Sequence, residues 1–388
     1  MRSRPSSCWK AGWRRIPTIP APAINWSNTA ADWLPERPDM PSPPSLSVII
    51  PHLKGVGILR DCLASLAASH YRDFEIILVD NASADGSREM VEAEFPEVRI
   101  LTLKENLGYA GGCNAGIRIS HSRYVLLLND DTIQDPATLG ALVEALEQDP
   151  QAAFAQPKLL NIRDRRRFDY SGAGGGLIDI LGYPFAFGRT FMAIEEDQGQ
   201  YDSPSEIFWA CGTAALYRRS ALQEVGLLDE DFFAHMEEID LAWRLHLAGY
   251  HGLRVPRGVV YHYSGNTLPN SERWKMYLNH RNSLICLVKN YSWPRLVWIL
   301  PLRVVFEWGI IALSFLRRDF RRGPAALAVQ VQLPLAFCRA LPKRRRVQKN
   351  RRVSDREVMK KMYRGSVVVQ HFLLGKTETA QILHRHAL

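Results

Sequence analysis

Four stretches combine residue types that could do chemistry. Leu126 to Thr132 reads LLLNDDT, so an apolar run delivers Asn129, Asp130 and Asp131 together. Adjacent carboxylates repel and need a cation, a basic partner or water. A hard cation such as Mg²⁺ is held by one or two carboxylates plus substrate phosphates, but a solvated turn at a strand end uses the same residue types. VDNASADGS places Asp80, Asn81, Ser83 and Asp85 around Gly86. Asp80 could accept a hydrogen bond from a pyrimidine N3–H, and the segment could equally be a capped helix start. HMEEIDLAWRLHLAGY carries Glu237, Glu238 and Asp240 beside Arg244. Acids at a helix N-terminus are favoured by its dipole, and Asp240 can pair with Arg244 at i,i+4. Glu238 has no such partner, which leaves it free to act as a general base. VVYHYSGNT brings His262 to the end of another apolar run, as a structural imidazole or as a metal ligand.

The elements that must position these groups follow from periodicity. LSVIIP from Leu46 reads as a buried strand, residues 57–69 as a helix, and FEIILVD as a strand ending in Asp80. SREMVEAEF is a helix, VRILTL a strand, 110–119 a helix, and YVLLLNDD a strand ending in acids. This alternation implies an α/β fold with a mostly parallel central sheet, helices on both faces, and ligands beyond the carboxyl ends of the strands. ENLGYAGGCNAGI holds Gly108, Gly111, Gly112 and Gly116. It is not GxGxxG and does not follow the first strand, so a Rossmann cofactor is not indicated. The glycines would admit a diphosphate or a neighbouring element. Residues 161–205 are expected to be an irregular mobile loop region. EIFWACGTAALYRR reads as a strand with a turn, and 237–248 as a helix ended by Gly249.

Composition sets the frame. The 388 residues are 46% hydrophobic and 23% charged, enough to bury a core. The six cysteines are scattered without a CxxC pair, which argues against a zinc ribbon and against a secreted disulfide scaffold and fits a reducing cytoplasm. The net charge is +9, yet residues 303–364 hold 17 Lys and Arg against 4 Asp and Glu, so the remainder carries about −4. A basic tail on a mildly acidic body points to an anionic partner for the tail.

Residues 1–45 are rich in Pro, Ser and Trp, and Pro17, Pro20 and Pro22 interrupt any signal-peptide core. A disordered or mis-assigned extension is expected there, with Met40 as a natural start. Residues 296–316 are long enough to span a bilayer, but contain Arg303, Glu307 and Pro301. Arg303, Glu307 and Ser314 share one helical face, and the two charges could pair. Basic clusters follow. The expectation is a helix lying in or against the inner leaflet, with a core helix of a C-terminal bundle as the alternative. No nucleic-acid partner is expected, because an aromatic apolar segment adjoins the basic tail.

Taken in order, SVIIP, VDNASADGS, NLGYAGGCNAGI, LLLNDDT and WACGTAALYRRSALQEVGLLDEDFFAHMEEIDLAWR resemble family-2 glycosyltransferases of the GT-A fold, in the bacterial rhamnosyltransferase-like branch. The resemblance implies a GT-A domain over 46–290 and a basic, helical, membrane-peripheral region over 291–388. It assigns the nucleotide sugar to Pro51, Asp80, Asn81, Asn106, Gly108, Asn114 and Asp130, and a divalent metal (Mg²⁺ or Mn²⁺) to Asp131 and His262. The acceptor falls to Trp209 and Gly212, and catalysis to Glu238 with Glu237 and Asp240 nearby. Where relatives read Glu-Asp, this chain has Glu237-Glu238, and PHLKG replaces a common Tyr-Asn pair near His52. The implied reaction is inverting transfer from a nucleoside-diphosphate sugar, first of all dTDP-rhamnose, to a hydroxyl of a lipid-linked or polysaccharide acceptor at the cytoplasmic face of the membrane.

Two other classes compete. A sugar nucleotidyltransferase would want a basic Gly-rich loop after the first strand, where PHLKGVG offers only Lys54. A non-catalytic scaffold of polysaccharide assembly would have no use for Asp131, Glu238 and His262 together.

Overall fold

A computed structural model describes residues 43–263 and 273–383. The expectations for the N-terminal extension up to residue 42, including a start at Met40, lie outside the described residues.

The first half alternates strand and helix: β1 (Leu46–His52), α1 (Val56–Ala67), β2 (Phe74–Asp80), α2 (Ser87–Glu94), β3 (Arg99–Thr102), α3 (Gly108–Ile119) and β4 (Tyr124–Leu128). β1, β2 and β4 are almost wholly buried, which is why they are apolar without alternation. β2 and β4 flank β1 in parallel, and β3 extends the sheet beyond β2. β4 stops at Leu128, so Asn129 to Asp131 form the turn into β5 (Thr132–Gln134).

After α4 (Thr138–Gln148) comes β6 (Ala152–Asn161). Residues 176–194 then differ from expectation. They form a four-stranded antiparallel sheet: β7 (Gly176–Ile178), β8 (Pro184–Ala186), β9 (Arg189–Thr190) and β10 (Ala193–Ile194). Strands of two or three residues, parted by turns with Gly182 and Gly188 at positive φ, are too short to show a period of two.

β11 (Ser205–Ile207), β12 (Ala214–Arg218), α5 (Arg219–Val225), α6 (Glu237–Leu247) and β13 (His251–His262) complete the large sheet. Its order is β11-β13-β6-β12-β4-β1-β2-β3, with β5 paired to β13. β12 runs antiparallel to both β4 and β6, and β13 runs parallel to β6. The carboxyl ends of β1, β2, β4, β6 and β13 therefore share one edge. His52, Asp80, Asn129–Asp131 and His262 all sit there.

Three long helices follow: α7 (Arg273–Asn290), α8 (Trp293–Leu316) and α9 (Arg322–Lys349). α7 packs against α6 and α9, and α8 against α9. Short helices at Asp355–Lys360, Val367–Phe372 and Thr379–Leu383 end the described chain.

Candidate active site

The strand ends supply the first part of the site. Asp80 is buried and its Oδ1 accepts the Ser83 N–H at 2.8 Å, which shapes the turn that presents Asn81. Asn81 donates from Nδ2 to the Gly108 carbonyl (3.1 Å) and accepts the Leu107 N–H on Oδ1 (2.8 Å). Asn106 Oδ1 accepts the Gly108 N–H at 2.8 Å. These bonds clamp the start of α3 to the end of β2, and Pro51 of β1 packs beneath Gly112. Gly108 adopts φ +72°, and a Cβ there would lie 2.6 Å from the Phe233 carbonyl oxygen. The glycine is thus required by the approach of the loop that leads into α6.

Asn114 departs from expectation. Its Nδ2 donates to the Leu228 carbonyl and Glu230 Oε1 (both 2.8 Å), and its Oδ1 accepts the Leu228 N–H. It is fully buried and ties α3 to the segment after α5, so it does not join the donor cluster.

The acidic turn is divided between two histidines. His52 Nδ1 lies 2.6 Å from Asp130 Oδ2, and its Nε2 lies 2.8 Å from Ser87 Oγ. Burial, offset by His52 and reinforced by Asp131, holds the Asp130 carboxyl above its ordinary pKa. His262 Nε2 lies 3.0 Å from Asp131 Oδ1, and its Nδ1 lies 3.1 Å from Asp169 Oδ2. Burial disfavours charge on the His262 ring, but the two aspartates outweigh it and raise its pKa to about 10. Asp169 is fully buried and gave no signal in the sequence, since it lies in the irregular stretch before β7. The His52–Asp130 contact was equally invisible, because it joins positions 78 residues apart.

A divalent cation fits this donor set. Asp131 offers a carboxylate; His262, held protonated between Asp131 and Asp169, would offer an imidazole nitrogen only as a cation displaces its Nε2 proton, with Asp169 orienting the ring from the other nitrogen, as outer-shell carboxylates do. Among the described residues no group of three or more His, Cys, Asp or Glu side chains forms a cage. Substrate phosphate and water would have to complete the coordination, as is common for Mg²⁺.

The second part of the site is the start of α6. Residues 233, 235 and 236 have φ of 61°, 69° and 73°, a left-handed path that non-glycine residues rarely take. It leads directly into Glu237 and Glu238. Oε2 of each is shielded and has no hydrogen-bond partner among the described residues. Burial, compounded at Glu237 by the charge of Glu238, pushes both pKa values above the ordinary carboxylate range. Asp240 is different. Its Oδ2 accepts from Arg244 Nε (2.9 Å) and Lys289 Nζ (2.7 Å), and its Oδ1 from Asn290 Nδ2 (2.9 Å). Burial opposes ionisation there, yet the two cations prevail and lower its pKa. Asp240 is therefore spent on structure, which corrects its expected place among the catalytic groups.

The two parts meet through the segment before β12. Asp169 Oδ2 accepts the Ser171 N–H (2.6 Å), and Ser171 Oγ lies 3.1 Å from Thr213 Oγ1. Thr213 Oγ1 lies 3.4 Å from the Cys211 thiol, whose pKa rises to about 11, first through burial and then through the charge of Glu238. Gly212 accepts the Tyr109 hydroxyl on its carbonyl (2.7 Å). Trp209 donates from Nε1 to the Leu177 carbonyl (2.8 Å) and is buried. Trp209 thus anchors β7 and presents little surface to an acceptor.

Residues 47–226 match the family model described as glycosyl transferase family 2. An N-acetylglucosaminyl-diphospho-decaprenol L-rhamnosyltransferase of Mycobacterium tuberculosis is 29% identical over 285 residues, 68% of this chain and 92% of that one. A poly-beta-1,6-N-acetyl-D-glucosamine synthase of Staphylococcus aureus is 28% identical over 196 residues, 50% of this chain and 43% of that one. Among solved structures, GalNAc-T7 with UDP, GalNAc and Mn²⁺ superposes with a TM-score of 0.50 at 15% identity, over 64% of this chain and 48% of that one. That likeness bears on the fold, which is GT-A.

Proposed function

We propose that this chain is a glycosyltransferase of family 2, on its rhamnosyltransferase-like side, as the match over residues 47–226 and the likeness to the tuberculosis rhamnosyltransferase support, and that it carries out a metal-dependent, inverting transfer from a nucleoside-diphosphate sugar to a lipid-linked or glycan hydroxyl. The observation that carries the reading is the contrast at the start of α6. Asp240 is neutralised by two cations, whereas Glu238 has a carboxylate oxygen without a partner among the described residues and a raised pKa beside the segment that joins it to the Asp131–His262 pair.

In the proposed reaction Glu238 accepts the proton of the acceptor hydroxyl. That oxygen bonds to the anomeric carbon as the bond to the diphosphate oxygen breaks, and one displacement inverts the centre. A divalent ion at Asp131 and His262 would supply Lewis-acid stabilisation of the leaving diphosphate. The residues around Asp80, Asn81 and Gly108 would hold the nucleotide. The name of the tuberculosis relative supports a rhamnosyl donor, with dTDP-rhamnose first to be tried, and a polyprenyl-diphosphate acceptor. The outward apolar face of α8 and the basic residues after it support attachment to the anionic inner surface of the membrane.

The test is a turnover assay on a panel of labelled nucleotide sugars, with and without chelator. Glu238→Gln keeps the shape and removes the basic oxygen, so kcat should fall by about 10²–10⁴-fold at similar donor affinity. Asp131→Asn should weaken metal-dependent donor binding instead. Near-normal turnover of Glu238→Gln would move the base to Glu237. Formation of a nucleotide sugar from a sugar phosphate and NTP would favour a nucleotidyltransferase.

A further inference from the structure

We propose that Asn282, on α7, is the positioning residue that sets the loop delivering Glu238, an inference that rests on the reading of Glu238 as the base. Asn282 is fully buried, and it lies more than forty residues beyond that loop in sequence. Its Nδ2 donates to three carbonyls of the loop: Phe232 (3.1 Å), Ala234 (3.0 Å) and His235 (2.7 Å). Its Oδ1 accepts from Arg281 Nε at 2.8 Å. The orientation of the amide is thus forced from both ends. Three acceptors on one side demand the NH₂, and a guanidinium on the other demands the oxygen.

The need for such a group lies in the backbone. Phe233, His235 and Met236 all have positive φ without being glycine, and conformations of this kind persist only where the surroundings over-determine them. One side of the loop is held by α3, whose Tyr109 and Ala110 N–H groups point at the Phe233 carbonyl (3.0 and 3.4 Å). The other side is held by Asn282 alone among side chains that reach both Ala234 and His235 in the described residues. Further along α7, Lys289 and Asn290 bind Asp240 and so fix α6 itself. The helix is anchored by that second contact even when the first is lost. Removing Asn282 should therefore loosen the approach to Glu238 while sparing the donor-binding strand ends.

Asn282→Asp changes almost no volume but turns an oxygen toward three carbonyls. Asn282→Leu removes the donors, and Asn282→Ser restores one. With the donor identified by the panel above, kcat should fall by about 10–100-fold in the Asp and Leu variants. The donor KM should change less than about twofold, and the Ser variant should recover part of the loss. Amide exchange of a peptide spanning 230–240 should accelerate, while peptides from β1 and β4 stay protected. A folded Asp variant with unchanged kcat, a loss confined to KM, or unchanged exchange at 230–240 would overturn the proposal. So would global unfolding of all three variants, which would leave Asn282 a purely structural residue. Should Glu238→Gln turn over normally in the same assay, the base assignment fails. Accelerated exchange in Asn282→Asp would still stand as evidence of the brace.

Discussion

Glu237 and Glu238 share one shielded place yet have different prospects. Two adjacent buried carboxylates cannot both ionise cheaply, and both pKa values are raised, by burial first. The sign for stability follows. A carboxyl whose folded pKa lies above its unfolded value contributes stability that is full below about pH 4.3 and is lost as pH rises through the folded pKa. Glu237→Gln removes one of the two buried acids. Its melting temperature should match wild type at pH 4 and exceed it by about 2–4 °C at pH 8, read by paired thermal melts. A lower melt at pH 8 would mean that the ionised carboxylate has a stabilising partner. The i,i+4 spacing of Asp240 and Arg244 allowed the ion pair that takes Asp240 out of catalysis. It could not show that Lys289 and Asn290 complete the cage around Asp240, because those contacts cross 49 and 50 residues. Asp169 and Asn282 were hidden for the same reason: nothing local marks a residue whose partners are distant in the chain.

Long apolar strands and amphipathic helices were readable because each carries its own period. β1, β2 and β4 fell where their hydrophobic runs predicted, and the acids fell in the turn just past β4. The β7–β10 sheet was not readable, since its pairing is set by tight turns and by packing rather than by pattern. α8 shows what pattern can foretell. The shared face of Arg303, Glu307 and Ser314 is the buried face of the helix. Arg303 is 1% exposed and Glu307 fully buried; they pair at 2.5 Å, Arg303 Nη1 donates to the Leu181 carbonyl (3.0 Å), and His280 meets Glu307 at 2.6 Å. Burial opposes the Glu307 charge, but Arg303 and His280 lower its pKa to about 2. Arg303→Leu would strand that carboxylate and should cost about 3–5 kcal/mol in urea melts. Replacing both Arg303 and Glu307 by Leu should restore most of the loss, because the pair's desolvation cost disappears with it. If the double variant is as unstable as the single one, the pair does not act as a unit.

With its polar stripe turned inward, α8 presents an apolar face to the outside: Val297 is 69% exposed, Val305 64% and Leu316 81%, with Trp298 and Trp308 between them. This inverts the usual surface helix, and such a face marks an interaction site. α8 and α9 are both long and apolar enough to cross a bilayer. Crossing would strip Arg303 and Glu307 from Leu181 and His280, which belong to the body of the protein, so the arrangement favours a hairpin laid against the surface. Arg317, Arg318, Arg321 and Arg322 lie at the turn between the two helices, where anionic headgroups would meet them, and tryptophans are suited to that interface. Purified protein should therefore co-float with vesicles containing phosphatidylglycerol and bind pure phosphatidylcholine more weakly. Each cation near an anionic surface is worth about 1 kcal/mol, so changing the four arginines to glutamine should weaken binding to anionic vesicles by about 10²–10³-fold. Val305→Glu, on the apolar face, should reduce binding to both kinds of vesicle. High salt should remove the arginine contribution and leave the apolar one, giving partial release. Complete resistance to carbonate would indicate that the hairpin inserts. Absence of flotation together with a concentration-dependent dimer broken by Val305→Glu would assign the same face to a second copy of the chain, because an apolar surface turned outward by its own buried ion pair requires a cover of one kind or the other.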